Sequence, residues 1–519
     1  MHGRPFALKI GLAILVCAVT GIPVFGAGTG LLTQISGTSP FGVLDDCGNF
    51  PGLFNVENFV NSEVQPRIDV NPSHTANIVA IWQQDRWSDG GSRGNVAGVS
   101  FDGGTTWQIV PIPMVADCTG GPWERASDPW VSFGPEGTLH QMSLVLQASP
   151  SPNRIGGFGP NGMAVSKSID GGLTWSDPTL LIEDDDPRIL NDKNSLTADP
   201  TDADYVYAVW DRLKITSAEA IAPENLTPGR GFLLGIGLGF KGPIYFARST
   251  DGGDTWEPAR KIYDPGANNQ TIGNQIVVQP DGTLIDFFTE ALNFKNNDHN
   301  GPFFNFNLAL LWSDDKGQTW LPVNKPVRAA RILSNGVVTP DDEVPVRDAS
   351  ILFDVAVDPG NGNLYAVWQD IRFNGMDQIA FSMSTDGGLT WSAPIKVNQT
   401  PAIPDHPLRA QAFLPSVAVA AEGTVGVTYY DFRNDDLSGE LADYFFVSCT
   451  ATCSDPASWA GHETRLTDAS FDYLQAPSAG GLFLGDYQGL ASDGTDFLPA
   501  FGVATSTDHA SIFFRRVMP

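Results

Sequence analysis

Four short runs in this 519-residue sequence set an aromatic residue beside an acid and an arginine: Trp82, Asp85 and Arg86; Trp210, Asp211 and Arg212; Trp368, Asp370 and Arg372; Tyr430, Asp431 and Arg433. A guanidinium next to a carboxylate can close a structural ion pair. Released from that acid, it can hold an anionic ligand through charge-assisted hydrogen bonds. A second set, Arg67, Asp128, Asp192, Lys193, Arg347, Asp348, Asp486 and Tyr487, stands at the starts of apolar, strand-like stretches. If folding carries both sets to one rim, charges of both signs surround a common mouth. A ring of ion pairs between neighbouring units is one reading of that rim, a ligand site is the other, and both are open here.

The elements that must position these residues are read from an eight-residue pattern, Ser-x-Asp-x-Gly-x-Thr-Trp. It begins at Ser100, Ser168, Ser249, Ser313 and Ser384, with acids Asp102, Asp170, Asp251, Asp315 and Asp386 and indoles Trp107, Trp175, Trp256, Trp320 and Trp391. Each copy lies between two apolar runs and reads as a hairpin turn. Its Gly supplies positive φ, its acid and hydroxyls bond the turn's own amides, and its Trp packs beneath. Around the fifth copy four strands can be read, ILFDVAVDP, NLYAVWQDIR, QIAFSMSTDGG and the run around LTWSAPIKV. Matching first strands begin near Arg67, Asp128, Lys193, Asn274, Ser350, Pro415 and Tyr487.

The expectation is an all-β chain, a β-propeller of four-stranded antiparallel blades, with seven blades favoured over six. The sixth unit carries only a degenerate turn, CTATCSDPASW. The last unit supplies three strands, so the N-terminal stretch FNVENFV is expected to complete its sheet and close the ring. Turns bearing the repeat then lie on one face, and the charged rim lies on the opposite one.

A formal net charge of -29 and a pI near 4.4 set the chain against phosphate backbones and anionic lipid, so neither nucleic acid nor a membrane surface is an expected partner. Residues 1–27 place Arg4 and Lys9 before an apolar run, the layout of a cleavable secretory signal, with an uncleaved anchor as the alternative. The expected product is a secreted or extracytoplasmic single domain, residues 28–519, monomeric and without a membrane span. Four cysteines remain beyond Cys17, and pairing Cys449 with Cys453 and Cys47 with Cys118 is favoured among three connectivities. No cofactor is required. The acidic runs Asp184 to Asp186 and Asp341 to Glu343 are candidate calcium ligands or solvated loops, and they lack EF-hand spacing. The link from about Leu213 to Gly242 reads as a lid, a partner surface or a packed insertion. No zinc-protease, Walker, dinucleotide or Ser-His-Asp arrangement occurs.

The repeated turn resembles the Asp-box, or bacterial neuraminidase repeat, of sialidase-like proteins, and the resemblance extends over nearly the whole mature chain. PRIDV with Arg67, then NIVAIWQQDRWSDGG with Arg86 and Asp89, is similar to the family's first blade. There the resemblance implies arginines near a sugar carboxylate and Asp89 as general acid or base. GDYQGLASDGTDFLPAFG resembles the segment of the nucleophilic tyrosine, which would make Tyr487 that residue. The pattern departs in the fourth unit. Asn274 stands where the family has the glutamate that activates the tyrosine, and Thr289, followed by Glu290, stands where it has an arginine. Arg347 or Arg433 would have to substitute in space for the missing cation. Without a partner base a phenol of pKa about 10 is a poor nucleophile. The expected function is therefore binding of a glycan or extracellular protein through the charged face, with exo-α-sialidase-type hydrolysis of terminal sugars as the alternative.

Overall fold

The computed structural model describes residues 28–42, 47, 56–148, 158–216, 240–292, 305–323, 325–436 and 440–519. The expected leader, Cys17 and most of the long link after Leu213 lie outside the described residues. Among those described there is no α-helix. The chain is all-β, built of four-stranded antiparallel sheets as in a β-propeller.

The first unit orders Asn58–Val70, Ile78–Trp87, Ser92–Ser100 and Gln108–Pro111, each strand antiparallel to the next. The second orders Arg125–Phe133, Leu139–Leu146, Asn161–Ser168 and Thr179–Asp184, and a single pairing of Ser92 with Ala126 joins it to the first. The third runs Ile189–Ala198, Val206–Ile215, Ile244–Ser249 and Arg260–Tyr263, and the fourth runs Gln270–Val278, Leu284–Leu292, Asn305–Ser313 and Val327–Ile332. The fifth and sixth begin with Phe353–Val357 and Ala412–Val419. The last unit contributes Gly489–Ser492, Phe497–Thr505 and His509–Phe514. First strands touch one another in this order, and that of the last unit touches Asn58–Val70.

A strand from the N-terminal region does extend the last sheet, but it is Thr33–Gln34, paired with Phe514 and Phe513. Of the stretch FNVENFV, expected there, residues 54 and 55 lie outside the described residues, and Asn58 and Phe59 instead begin the first unit, pairing with Trp87 and Arg86. The reason is hydrogen bonding. Asp85 accepts the Asn61 amide at 2.9 Å, and its backbone carbonyl accepts Asn58 Nδ2 at 2.8 Å, which commits this segment to its own sheet.

All five repeated turns join the third strand of a unit to the fourth. In the third unit, Ser249 Oγ donates to Asp251 at 2.8 Å and accepts from the Gly253 amide at 2.8 Å, while Thr255 donates to Asp251 through its amide and hydroxyl. The other four repeat this pattern around Asp102, Asp170, Asp315 and Asp386. The Thr hydrogen bonds pull Asp102 and Asp251 down to about 2. These turns brace neighbours as well as themselves. Trp320 meets Phe246 of the preceding unit edge-on at 5.4 Å, and Trp391 meets Phe287 likewise at 5.9 Å. In the degenerate sixth turn the Cys449–Cys453 disulfide takes the place of the acid, and Trp459, fully buried, still packs on Phe381 of the fifth unit at 5.0 Å. Cys47–Cys118 forms the second disulfide.

Apolar clusters accordingly lie between units. One combines Tyr207, Val209 and Phe246 of the third with Ile276, Leu284 and Leu311 of the fourth. Strands buried on both faces need near-continuous apolar runs, and Ile78–Trp87 is buried at every position.

Gly317 has φ 82°, and a Cβ there would lie 2.6 Å from Cζ of Phe246. Gly317→Ala is expected to destabilise the fold by about 1–3 kcal/mol in chemical denaturation, and adding Phe246→Leu should recover part of the loss. An unchanged midpoint would contradict this account of how units abut.

Candidate functional site

First strands converge on the axis, and five of them break their register there. The irregularities fall between Val64 and Arg67, Ser127 and Trp130, Asp192 and Ser195, Ile272 and Gln275, and Phe413 and Ser416. Each contains a residue in the left-handed region: Gln65 (φ 61°), Asp128 (43°), Lys193 (47°), Gly273 (74°) and Leu414 (52°). Non-glycine residues pay roughly 1–2 kcal/mol for this conformation, and a bulge re-aims the side chain that bears it. In three successive units the re-aimed side chains are polar and meet one another. Gln65 Nε2 donates to Asp128, and Lys193 Nζ lies 3.3 Å from the same carboxylate.

From this point a chain of contacts runs both ways. Arg86 donates to Gln83 at 2.8 Å, and Gln83 donates to Gln65 at 2.6 Å. Lys193 Nζ donates to Asp486 at 2.7 Å, which accepts a two-pronged pair from Arg347 at 2.9 and 2.6 Å. Burial alone would raise the Asp486 carboxyl, but Arg347 and Lys193 overcome it and hold it well below the usual range. Burial likewise opposes the charge on Lys193, yet Asp128, Asp192 and Asp486 outweigh it and leave the ammonium strengthened.

Arg86, Asp89 and Arg347 line one cavity with Asp128, Asp192 and Lys193, walled on its apolar side by the second unit's Leu144 and Leu146. Arg86 is 2% exposed and has no carboxylate within ion-pair distance among the described residues. Its expected partner Asp85 is taken by Arg93 at 2.9 Å, with both side chains fully buried, and Asp85 also accepts Ser39 Oγ at 2.6 Å. Burial, and then the nearby Arg347 guanidinium, lower Arg86 to about 9, still a cation at neutral pH. Asp89 meets Arg125 at 2.5 Å.

The other three aromatic-acid-arginine runs are structural. Arg212 reaches back to Asp184 of the second unit, Arg372 chelates Asp370 and donates to the Arg331 carbonyl of the fourth, and Arg433 pairs with Asp431 and Glu463. Arg433 is thereby spent within the sixth unit and does not stand in for a missing arginine at the cavity. Of the acidic runs, Asp184 serves Arg212 and Asp186 serves Arg188, while the Asp341 and Asp342 amides donate to Glu440. Among the described residues no group of three or more His, Cys, Asp or Glu is arranged to hold a metal. Asp348 lies apart, accepting from Gln369 and the Val337 amide.

Arg67 and Tyr487 lie beside the main cavity. Arg67 pairs with Asp354 at 3.3 Å and stacks 3.7 Å over Trp130 and 4.7 Å over Tyr487. Tyr487 shares a small depression with Trp130, Lys193, Asn274 and Asp486. Its hydroxyl donates to the Pro129 carbonyl at 2.9 Å, and burial, then Asp128, push the phenol well above its usual range. Neither polar atom of the Asn274 side-chain amide has a hydrogen-bond partner among the described residues. Thr289 donates to the Ile351 carbonyl, and Glu290 is held between Tyr263 and Arg328, so the next residue along the strand does not replace the absent acid. Sequence reading missed Gln65, Gln83 and Arg125 as site residues. No motif marks them, because bulge geometry and the turn after Trp87 deliver them.

No protein-family model matches the chain. A xyloglucanase from a Paenibacillus species is 28% identical over 230 residues, spanning 42% of this chain and 19% of that protein. Structural neighbours are sialidases and α-L-arabinan-directed glycosidases. They include the α-L-arabinanase of Penicillium chrysogenum (12% identity, TM-score 0.44, 95% of this chain and 98% of that one) and the leech intramolecular trans-sialidase (11%, 0.41, 95% and 98%). The sialidase of Trypanosoma rangeli aligns at 14% identity and TM-score 0.42, over 88% of this chain and 55% of its own.

Tyr487 is expected to stay protonated well above the ordinary phenol value of about 10. Ultraviolet difference titration of the wild type against Tyr487→Phe measures this, and an ionisation near neutrality would overturn the assignment of an inactive phenol.

Proposed function

We propose that this chain is an exported, seven-bladed β-propeller, its ring completed by Thr33–Gln34, that binds acidic glycans in the cavity over the second blade. The closed sequence of contacts between first strands supports the blade count, and two disulfides are compatible with an oxidising compartment. No helix among the described residues is long and apolar enough to cross a membrane. The sialidase-like sequence pattern and the partial likeness to a xyloglucanase point to carbohydrate as the ligand class.

One observation carries the preference for an acidic ligand: Arg86 is a buried guanidinium, free of any ion pair with a described carboxylate, that opens into the cavity. A ligand carboxylate would supply the counter-charge that the protein gives instead to Arg93. Hydrogen bonds to charged groups contribute about 1.5–3 kcal/mol. Hydrolysis through Tyr487 has less support, because Asn274 cannot take the phenol's proton and Pro129 already receives it.

Calorimetric titration with oligosaccharides ending in sialic or glucuronic acid, beside neutral counterparts, is expected to show binding of the acidic set alone. Arg86→Ala should weaken it by roughly tenfold to a hundredfold. Equal binding of neutral and acidic sugars, or none of either, would defeat the proposal.

A further inference from the structure

The cavity holds two carboxyl groups in contrasting surroundings. Asp192 comes from the first strand of the third unit and Asp89 from the turn after Trp87 in the first, and both line the cavity to which the second unit contributes Leu144, Leu146 and Asn161. Asp192 is 7% exposed, and no side chain among the described residues donates a hydrogen bond to it. The Lys193 ammonium is 3.9 Å from it, against 2.7 Å from Asp486 and 3.3 Å from Asp128, and is shared among the three. Asp89 is one-third exposed and held against the Arg125 guanidinium at 2.5 Å.

We propose that Asp192 and Asp89 are an acid and base pair that hydrolyses the glycosidic bond of the bound sugar by direct attack of water. The proposal rests on the glycan reading above and adds an activity to it. Asp89, in its ion pair with Arg125, takes a proton from the water as its oxygen bonds to the anomeric carbon. The bond from that carbon to the leaving oxygen breaks, and Asp192 delivers its proton there. One water is consumed, the anomeric configuration inverts, and both carboxyls return to their starting forms by proton exchange with solvent.

The environment of Asp192 suits the acid role. Burial raises its carboxyl, Lys193 offsets this only in part, and Asp128 and Asp486 add to the rise. Asp211, opposite it in the strand pair, is raised in the same way, and Arg347 also faces the group. A carboxyl raised by burial is how a site keeps a general acid available near neutral pH. Tyr487, in the adjoining depression, has no part in this step.

The test uses the mature chain with 4-methylumbelliferyl β-D-glucuronide and 4-methylumbelliferyl α-N-acetylneuraminide, reading fluorescence, calorimetric binding and the first-formed anomer by NMR. Turnover of at least one probe with inversion is expected, its rate falling as rising pH ionises Asp192. Asp192→Asn and Asp89→Asn should each lower kcat by about a hundredfold or more while still binding the probe, which also reports that they fold. Asp192→Asn should retain most activity on the matching 2,4-dinitrophenyl glycoside, whose leaving group needs no proton, and azide should restore turnover to Asp89→Asn. Probes bound but not cleaved, a retained anomer, or undiminished turnover in Asp192→Asn would each overturn the pair and leave the binding proposal standing. Absence of binding by either probe would instead sink the binding proposal itself.

Discussion

Lys193 brings a single ammonium against Asp128 of the second unit, Asp192 of its own and Asp486 of the last, and the site's electrostatics follow from what that one charge can neutralise. Buried charges are tolerated only when paired and hydrogen-bonded. Asp486 satisfies this twice, through Lys193 and Arg347. Asp128 satisfies it through Lys193 and Gln65. Asp192 is left over, nearly buried and farthest from the ammonium, and retains its proton more readily than an exposed acid. The same accounting on the cation side leaves Arg86 without an ion pair among the described residues. Hence the cavity combines a buried guanidinium without such a pair with a carboxyl that burial makes a weaker acid.

That arrangement depends on the N-terminal segment. Ser39 and Arg93 both engage Asp85, and Arg93 also donates to the Phe41 and Gly42 carbonyls. The contacts that anchor this segment therefore take the acid that the fifth and sixth units give to Arg372 and Arg433. Structure and site are linked here by one side chain, since joining the sheets and freeing Arg86 are the same event.

The repeated turns act at the opposite face and at a distance. Each acid there is consumed by the hydroxyls and amides of its own loop, so it contributes no chemistry, yet its Trp and Gly set how closely successive units approach. The sixth unit reaches the same packing with a disulfide and Trp459. What recurs is thus the wedge between sheets, and the Asp is one of two ways of holding it.

Much of this was legible in the residues. Five identical turns and the alternating strands around them determined an all-β chain of repeated sheets, because turn chemistry and strand periodicity are local; of three cysteine connectivities, the one favoured from the sequence is the one formed. Arg86, Asp89 and Arg347, picked out by the sequence pattern, line one cavity. Tertiary structure alone decided which arginines are spent and which has no ion pair among the described residues, since Arg86 loses the adjacent Asp85 to Arg93 while Arg433 keeps Asp431 and gains Glu463. It also decided that Thr33–Gln34 joins the last sheet, and that Gln65, Asp128 and Lys193 meet at the axis. Ion pairing and bulge geometry bring together residues tens to hundreds of positions apart, and no local pattern encodes that proximity.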